Sequence, residues 1–549
     1  MSQSVNRTVK VRRGRLETIA IILQNYSHIY PISFVKAVQY VLSNLSYGQK
    51  IGIATAEALS MVFSNLFFLY FFFPLNLICY FFAKDLKTKN LVMLIFSLFF
   101  YAWGEPKYVF LLVFECFADW LLALGIEKFR GTKKAKLLLI CACVVNLGLI
   151  GIFKYLTFIL TNIKAVTGFP ENIVQVALPI GISFYTFQLL SYVIDVYRGE
   201  TEAQKRFWYV LLYASLFHQC IAGPIVRYKD VCYEIENRKT SLNEISKGIS
   251  RFAAGLGKKA LLANVCGSLA DTVLLSDSAL SVAADLQKNL AVLESRPALG
   301  LWLGMIFYML QIYLDFSAYS DMAIGMGQMI GFHYKENFDY PYCSKSVGEF
   351  WRRWHISLGS FFRDYVYIPL GGSRKGLART ILNTFIVWAL TGLWHGASWN
   401  FVLWGLYFFV FLTMERLFLL KKLEKAPSWA SHVYLLLVSF FGWIIFRFQN
   451  VSAGFTVLKG MFGLCGNGFS SFEINALLKN NLFFLLVACF ACTPAMKTLG
   501  KLITQKARNN ADAALFNVVR KIAVPVLLLL FSTFSLVGDS YNPFLYFQF

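Results

Sequence analysis

Residues 381–420 read ILNTFIVWALTGLWHGASWNFVLWGLYFFVFLTMERLFLL. Two apolar runs, 381–395 and 400–420, flank the short polar stretch Gly396-Ala-Ser-Trp399. A helix needs about 20 apolar residues to cross a hydrocarbon core about 30 Å thick, and the second run has that length. In water such a pair would leave its faces bare. In lipid every side of it is solvated.

Outward from this pair the pattern recurs. Further apolar runs lie at 62–83, 90–103, 108–126, 136–155, 173–195, 207–222, 299–324, 433–448, 481–497 and 521–538. The chain of 549 residues is 57% hydrophobic, 17% aromatic and 15% charged. A soluble domain carries about 25% charged residues, so composition and runs agree. The expected fold is all-α and polytopic, with roughly 10–13 transmembrane or re-entrant helices, the short runs being re-entrant where protein or water surrounds them.

The net charge of +22 does not indicate nucleic acid, because the cations sit in loops between the runs. Lys84, Lys87 and Lys89 form one cluster and Lys133, Lys134 and Lys136 another. Arg374, Lys375 and Arg379, then Lys421, Lys422 and Lys425, then Lys497, Lys501, Lys506 and Arg508 follow. Such loops face the cytoplasm. Loops 104–107 and 449–480 and the C-terminus are then outside. Simple alternation would put the basic segment 226–260 outside as well. A segment near 207–265 is therefore expected not to cross fully, with Gly255, Gly257, Lys258 and Lys259 on an interfacial helix.

The first 60 residues differ from the rest. A basic cluster, Arg7 to Arg15, is followed only by the weak run Thr18–Leu23, so no cleavable signal is expected. Residues 1–60 are read as an extension without assigned role, with Met61 as an alternative start. Residues 61–549 are read as one membrane domain. The 11 cysteines lie mostly in apolar runs, and Cys489-Phe-Ala-Cys492 lacks the strand–helix setting of a redox motif.

No nucleophile elbow, P-loop or HExxH motif occurs. Of the six His, no two have zinc-helix spacing, so no metal is expected. His395 ends one apolar run, at a depth where an ionisable group usually faces a cavity and where imidazole can move protons. A buried His held by one hydrogen bond is the alternative. His355 lies in Phe350-Trp-Arg-Arg-Trp-His355-Ile-Ser-Leu-Gly-Ser360, with Arg352, Arg353 and Arg363 among aromatics. That segment reads either as an interfacial helix with snorkelling Arg or as a grip on a phosphate-bearing acyl donor. Asp315, Tyr319 and Asp321 are polar groups inside an apolar helix, where they are functional candidates or structural pairs. Asn400 stands just beyond His395.

Several of these stretches resemble the membrane-bound O-acyltransferase family, in its bacterial alginate O-acetyltransferase branch. They are WRRWHISLGSFFRDYVYIPLGGSRKG (351–376), LWHGASWNFVLWG (393–405), DFSAYSDMAIG (315–325), LPIGISFYTFQLLSYVIDVYRG (178–199), AGPIVRY (222–228) and the tail NPFLYFQF (542–549). The resemblance runs from Met61 to the last residue. It implies a ring of tilted helices around a thin central region reached by a funnel. It also implies that His355 and His395 are the essential pair, with Asp315, Tyr319, Asp321 and Asn400 as supporting candidates. The implied activity is transfer of acetyl from a cytoplasmic donor to an extracytoplasmic polysaccharide, such as an alginate-like exopolysaccharide, cellulose or peptidoglycan. Acetyl-CoA is the expected donor substrate, with no bound cofactor. An SGNH-type acetyltransferase outside is the expected partner, and the bacterial inner membrane the expected location. The chain departs from the family at His218, where members carry Pro, and loss of that Pro is expected to straighten a local kink. Two rivals remain: D-alanyl transfer to teichoic acid by a related branch, and a secondary transporter. The transporter reading lacks the paired broken helices of two related halves.

Overall fold

The computed structural model describes residues 61–170, 172–276, 279–280, 285–506, 516, 518–538 and 542–543. The extension at 1–60 and the tail beyond 543 lie outside the described residues. The described residues are mostly helical. In order come α1 (Phe68–Phe82), α2 (Leu86–Gly104), α3 (Val109–Lys128), α4 (Lys133–Thr167), α5 (Ile182–Arg198), α6 (Phe207–Ser215) and α7 (Tyr228–Asn237). Next, α8 runs from Leu242 to Gly257, passes through a π turn at Lys258–Ala263 and continues over Asn264–Leu274. Then follow α9 (Ala298–Met329), α10 (Val347–Arg353), α11 (Ile356–Phe362), α12 (Leu377–His395), α13 (Trp399–Lys425), α14 (Ser428–Arg447), α15 (Val451–Met461), α16 (Phe472–Ala491), α17 (Ala495–Lys506) and α18 (Val519–Gly538).

Eight of these helices are long and apolar enough to cross a membrane: α3, α4, α9, α12, α13, α14, α16 and α18. Seven leave at least half of their apolar window outside the protein interior, whereas α9 buries 83% of it. The seven face lipid and α9 is the central post. Two apolar runs behave differently from a plain span. The run 173–195 becomes helix only at Ile182, after Pro179 and a left-handed Gly181, and α5 is buried along nearly its whole length. The run 207–222 stops at Ser215, where Leu216 turns extended (φ −45°, ψ 114°). Nine helical residues rise only about 13 Å. This segment dips into the protein and returns to the same end at α7. The break at Leu216 persists with His218 in place of Pro. The amide of Phe217 donates instead to Ser97 Oγ at 3.2 Å, and His218 Nδ1 pairs with the Tyr334 hydroxyl at 2.9 Å. The expected straightening does not occur.

The interfacial reading of 255–259 is corrected as well. A capping box of Ser241 and Glu244 starts α8, which then runs antiparallel along α9 for about 50 Å. Small residues allow the close approach. A methyl on Gly255 would stand 2.7 Å from the Ala318 carbonyl oxygen, and one on Gly248 would stand 2.6 Å from that of Gly325. The two lysines face inward: Lys258 pairs with Asp321 at 2.6 Å and Lys259 with Asp315 at 2.6 Å. Positive charge in this stretch is matched by carboxylates on the neighbouring helix, which a count of Lys and Arg alone does not register.

The loops gather at two ends. At one end Lys205 pairs with Glu127, Lys229 with Glu200 (2.5 Å) and Lys335 with Asp230 (2.6 Å). Arg198 donates there to the Asp364 carbonyl (3.1 Å), and Glu415 accepts from the amides of Val347 (2.6 Å) and Gly348 (2.9 Å). At the other end Tyr108 donates to the Ala177 carbonyl (3.3 Å), Trp399 to Asn162 (2.9 Å) and the Ala298 amide to the Gly468 carbonyl (3.0 Å). The basic loops belong to the first end.

Glu105 sits at the second end, in the loop between α2 and α3. Burial pushes its pKa up to about 7, and the Ile180 amide beside it offsets only part of that rise. The folded chain thus holds a proton that the unfolded chain has released above pH 4.5. Stability from this group is complete below that pH and is lost as pH rises through about 7. Between pH 5 and 8 the natural protein should lose about 1 kcal/mol relative to Glu105→Gln, screening by nearby solvent included. Melting temperatures of the two proteins across this range check it, and parallel curves would refute it.

Candidate functional site

Two of the six histidines meet at the centre of the molecule. His355 joins α10 to α11 and adopts the left-handed region (φ 44°, ψ 54°), a conformation costly for a residue with a Cβ. Asn337 holds it there. The Asn337 carbonyl oxygen accepts from the Ser357 amide (3.1 Å) and the Ser357 hydroxyl (2.8 Å), and its amide nitrogen donates to the Gly223 carbonyl (3.4 Å). Backbone groups of fixed polarity on both sides settle which Asn337 atom is oxygen. His355 Nδ1, 3.2 Å from that oxygen, therefore carries the proton. Nε2 keeps its lone pair and is the basic atom.

His395 is the last residue of α12 and is buried. The indole of Trp394 contacts both histidine rings, with centroids 5.7 Å from that of His355 and 5.0 Å from that of His395. Trp404 (4.9 Å) and Phe446 (5.1 Å) stand nearly perpendicular to the His395 ring, with Phe401 at 6.4 Å. His395 Nδ1 is buried without a hydrogen-bond partner among the described residues. These rings enclose the imidazole and keep water from it. The setting depends on a tight crossing of α12 and α13. Gly392 and Gly405 let the two backbones touch, and a Cβ on either would collide with a carbonyl of the other helix.

The remaining candidates divide. Asp315 and Asp321 on α9 face α8: Asp315 pairs with Lys259, and Asp321 with Arg251 and Lys258, each at 2.6 Å. Tyr319 stacks on Phe63 at 4.2 Å. The side of α9 that meets the histidine is Phe316, 4.7 Å from the His355 ring. Asn400 donates to the carbonyls of Ile445 (3.3 Å) and Phe446 (3.1 Å) and so caps α14 beside His395. His218 pairs with Tyr334 on the opposite flank.

A cleft of about 260 Å³ reaches inward from the basic end. Ile356 and Ser357, next to His355, form part of its wall, and Arg227, Lys335, Arg363 and Asp364 form others. Of the three arginines expected at a donor site, Arg363 lines the cleft. Arg353 turns to Glu349 (2.7 Å), and neither it nor Arg352 is part of the wall. Arg227 was not anticipated. It is buried, holds Asp364 at 2.8 Å and stacks on Tyr365 at 5.0 Å, while its Nη2 has no partner among the described residues. Burial alone would raise the Asp364 pKa, but Arg363 and Arg227 outweigh it and hold the carboxylate ionised.

Sequence reading also missed Asn337 and Lys154. Asn337 lies in a loop with no distinguishing pattern. Lys154 gave a signal that went unused, a cation far along the apolar run 136–155, well beyond the basic cluster at its start.

Comparison with known proteins adds the following. The family model described as MBOAT, membrane-bound O-acyltransferase family, matches residues 206–455, which include both central histidines. A probable alginate O-acetylase of Pseudomonas putida is 36% identical over 510 residues, covering 89% of this chain and all of its own length. A peptidoglycan O-acetyltransferase of Helicobacter pylori is 31% identical, covering 74% of this chain and 80% of its own. A teichoic acid D-alanyltransferase of Bacillus subtilis is 26% identical over 53% of this chain and 70% of its own.

Proposed function

The chain belongs to the membrane-bound O-acyltransferase family, and on that premise we propose that it moves acetyl groups from a cytoplasmic thioester to hydroxyls of an extracytoplasmic polysaccharide. It is a multi-pass membrane protein and an O-acyltransferase. The observation that carries the finer reading is the pair His355 and His395, both in contact with one indole, with a cleft from the basic end whose wall includes Ile356 and Ser357 beside His355. Acetyl-CoA is the proposed donor. Its phosphates suit the cleft wall that carries Arg227 and Arg363. The thioester then reaches His355. His395 acts as general base on the acceptor hydroxyl, and as an imidazolium it stabilises the tetrahedral oxyanion. The thiolate leaves toward the cytoplasm with a proton. Asp315 and Asp321 support this centre by locking α8 to α9, Tyr319 by stacking on Phe63, and Asn400 by fixing the end of α14.

The acceptor class follows the relatives that cover most of the chain, whose names give alginate and peptidoglycan O-acetylation. D-alanyl transfer is the weaker reading, because that relative covers only 53% of the chain at 26% identity. A separate extracytoplasmic acetyltransferase of SGNH type is the proposed partner that completes delivery. Inside-out membrane vesicles from cells that also make the partner acetyltransferase, with the protein in the membrane and the polymer in the lumen, test the donor. Acetyl-CoA labelled in its acetyl group should give ester-bound label on the polymer. Label remaining wholly on the coenzyme would sink the proposal.

The same reading fixes sidedness. A single Cys at position 375 should be protected from an impermeant thiol reagent in intact cells, and the native Cys465 should react. Reversed labelling would exchange the donor and acceptor sides.

A further inference from the structure

Lys154 is a buried ammonium, and among the described residues no carboxylate pairs with it. Burying a charge without a counter-ion costs several kcal/mol unless dipoles replace the lost water. Here the dipoles come from one place. Lys154 Nζ donates to the Trp394 carbonyl, lies 3.4 Å from the His395 carbonyl and 3.3 Å from Ser183 Oγ. The next residue, Tyr155, donates its hydroxyl to the Leu393 carbonyl. Two successive side chains of α4 thus take the last three carbonyls of α12, which a helix leaves unbonded at its negative end. Both project from a π turn, Gly151–Tyr155, the kind of extra-residue bulge that re-aims side chains at functional sites. Gly396 after His395 is extended, so nothing within α12 itself secures this end.

We infer that Lys154 is a positioning residue for acyl transfer: its ammonium, docked on the terminal carbonyls of α12, sets the His395 imidazole in its aromatic surround. This rests on the role given to His395 above. The chemical reason for a lysine is that the end of α12 must be held by a group that only donates, and an ammonium offers three donors and no acceptor.

Lys154→Met keeps the stem and removes the charge. In proteoliposomes it should lower kcat for acetyl transfer by about 10–100-fold, the penalty for a catalytic group displaced by about 1 Å, with KM for acetyl-CoA within about twofold. Lys154→Arg, which keeps the donors, should recover at least part of the loss. The melting temperature should change little in Lys154→Met, because relief of a desolvated amine offsets the carbonyls left without its donors. In parallel, mass spectrometry follows carbethoxylation of His395, which should be several-fold faster in Lys154→Met than in the natural protein and near the natural rate in Lys154→Arg. The modification rate needs no enzymatic activity. An inactive natural protein with the expected change in His395 reactivity would overturn the acetyl-transfer reading and keep the positioning role. Unchanged kcat in an active protein, unchanged His395 reactivity, or a kcat loss accompanied by a lower melting temperature and no rescue by Arg would overturn the positioning role.

Discussion

His395→Ala should reduce acetyl transfer by about 10² to 10⁴-fold, the usual contribution of a positioned general base, while the protein still inserts and folds. The reasoning starts from placement. His395 terminates α12 at a point where Trp394, Trp404, Phe401 and Phe446 surround it and exclude water. In such a setting a developing imidazolium and a developing oxyanion attract each other far more strongly than in water. The pocket is set by large rings and by the contact of Gly392 with α13, neither of which the alanine removes. Initial rates in inside-out vesicles, normalised to the amount of folded protein, measure the effect. Near-natural rates from His395→Ala would remove it from the mechanism. His355→Ala should act on the same steps, because Trp394 bridges both rings.

The second large effect is on stability. Asp315→Asn should cost about 3–5 kcal/mol, because it leaves the Lys259 charge buried without its counter-ion. The pair spans 2.6 Å, and its side chains are 4% and 3% exposed. Lys259 also donates to the Pro543 carbonyl, and Asn542 bonds Ser64 (3.0 Å) and Asn264 (3.1 Å). The ion pair therefore ties α8 and α9 to both ends of the described chain. The double variant Lys259→Met with Asp315→Leu should recover most of the loss, since no charge remains to be solvated. Thermal unfolding in detergent separates the cases. A single variant that melts with the natural protein would show that water reaches the pair.

Sequence reading reached the long helices because each combines length with sustained apolarity, and eight of the twelve apolar runs became such helices. It failed where burial, not lipid, explains the apolar residues. The run 173–195 is apolar because α5 is surrounded by protein, so its length says nothing about crossing. The segment 242–274 was misjudged for the opposite reason. Its Lys258 and Lys259 look interfacial until the carboxylates of α9, more than fifty residues away in sequence, are set against them. The histidines of the site were legible because an ionisable group at membrane depth is costly and stands out. The shell that orients them was not. Asn337 reaches His355 across 18 residues and Lys154 reaches the end of α12 across 240, so both contacts exist only in three dimensions. Arg227 was passed over because AGPIVRY reads as an ordinary loop until Asp364 and the cleft are placed around it.

The most direct test of the whole account is the ester content of the surface polymer. Polysaccharide is purified from cells with the gene, without it, and with it restored, and the acids released by mild alkali are quantified. Acetate should be lost with the gene and return with the natural chain but not with His395→Ala. Acetate that is unchanged by deletion, or a loss of D-alanine in its place, would contradict it.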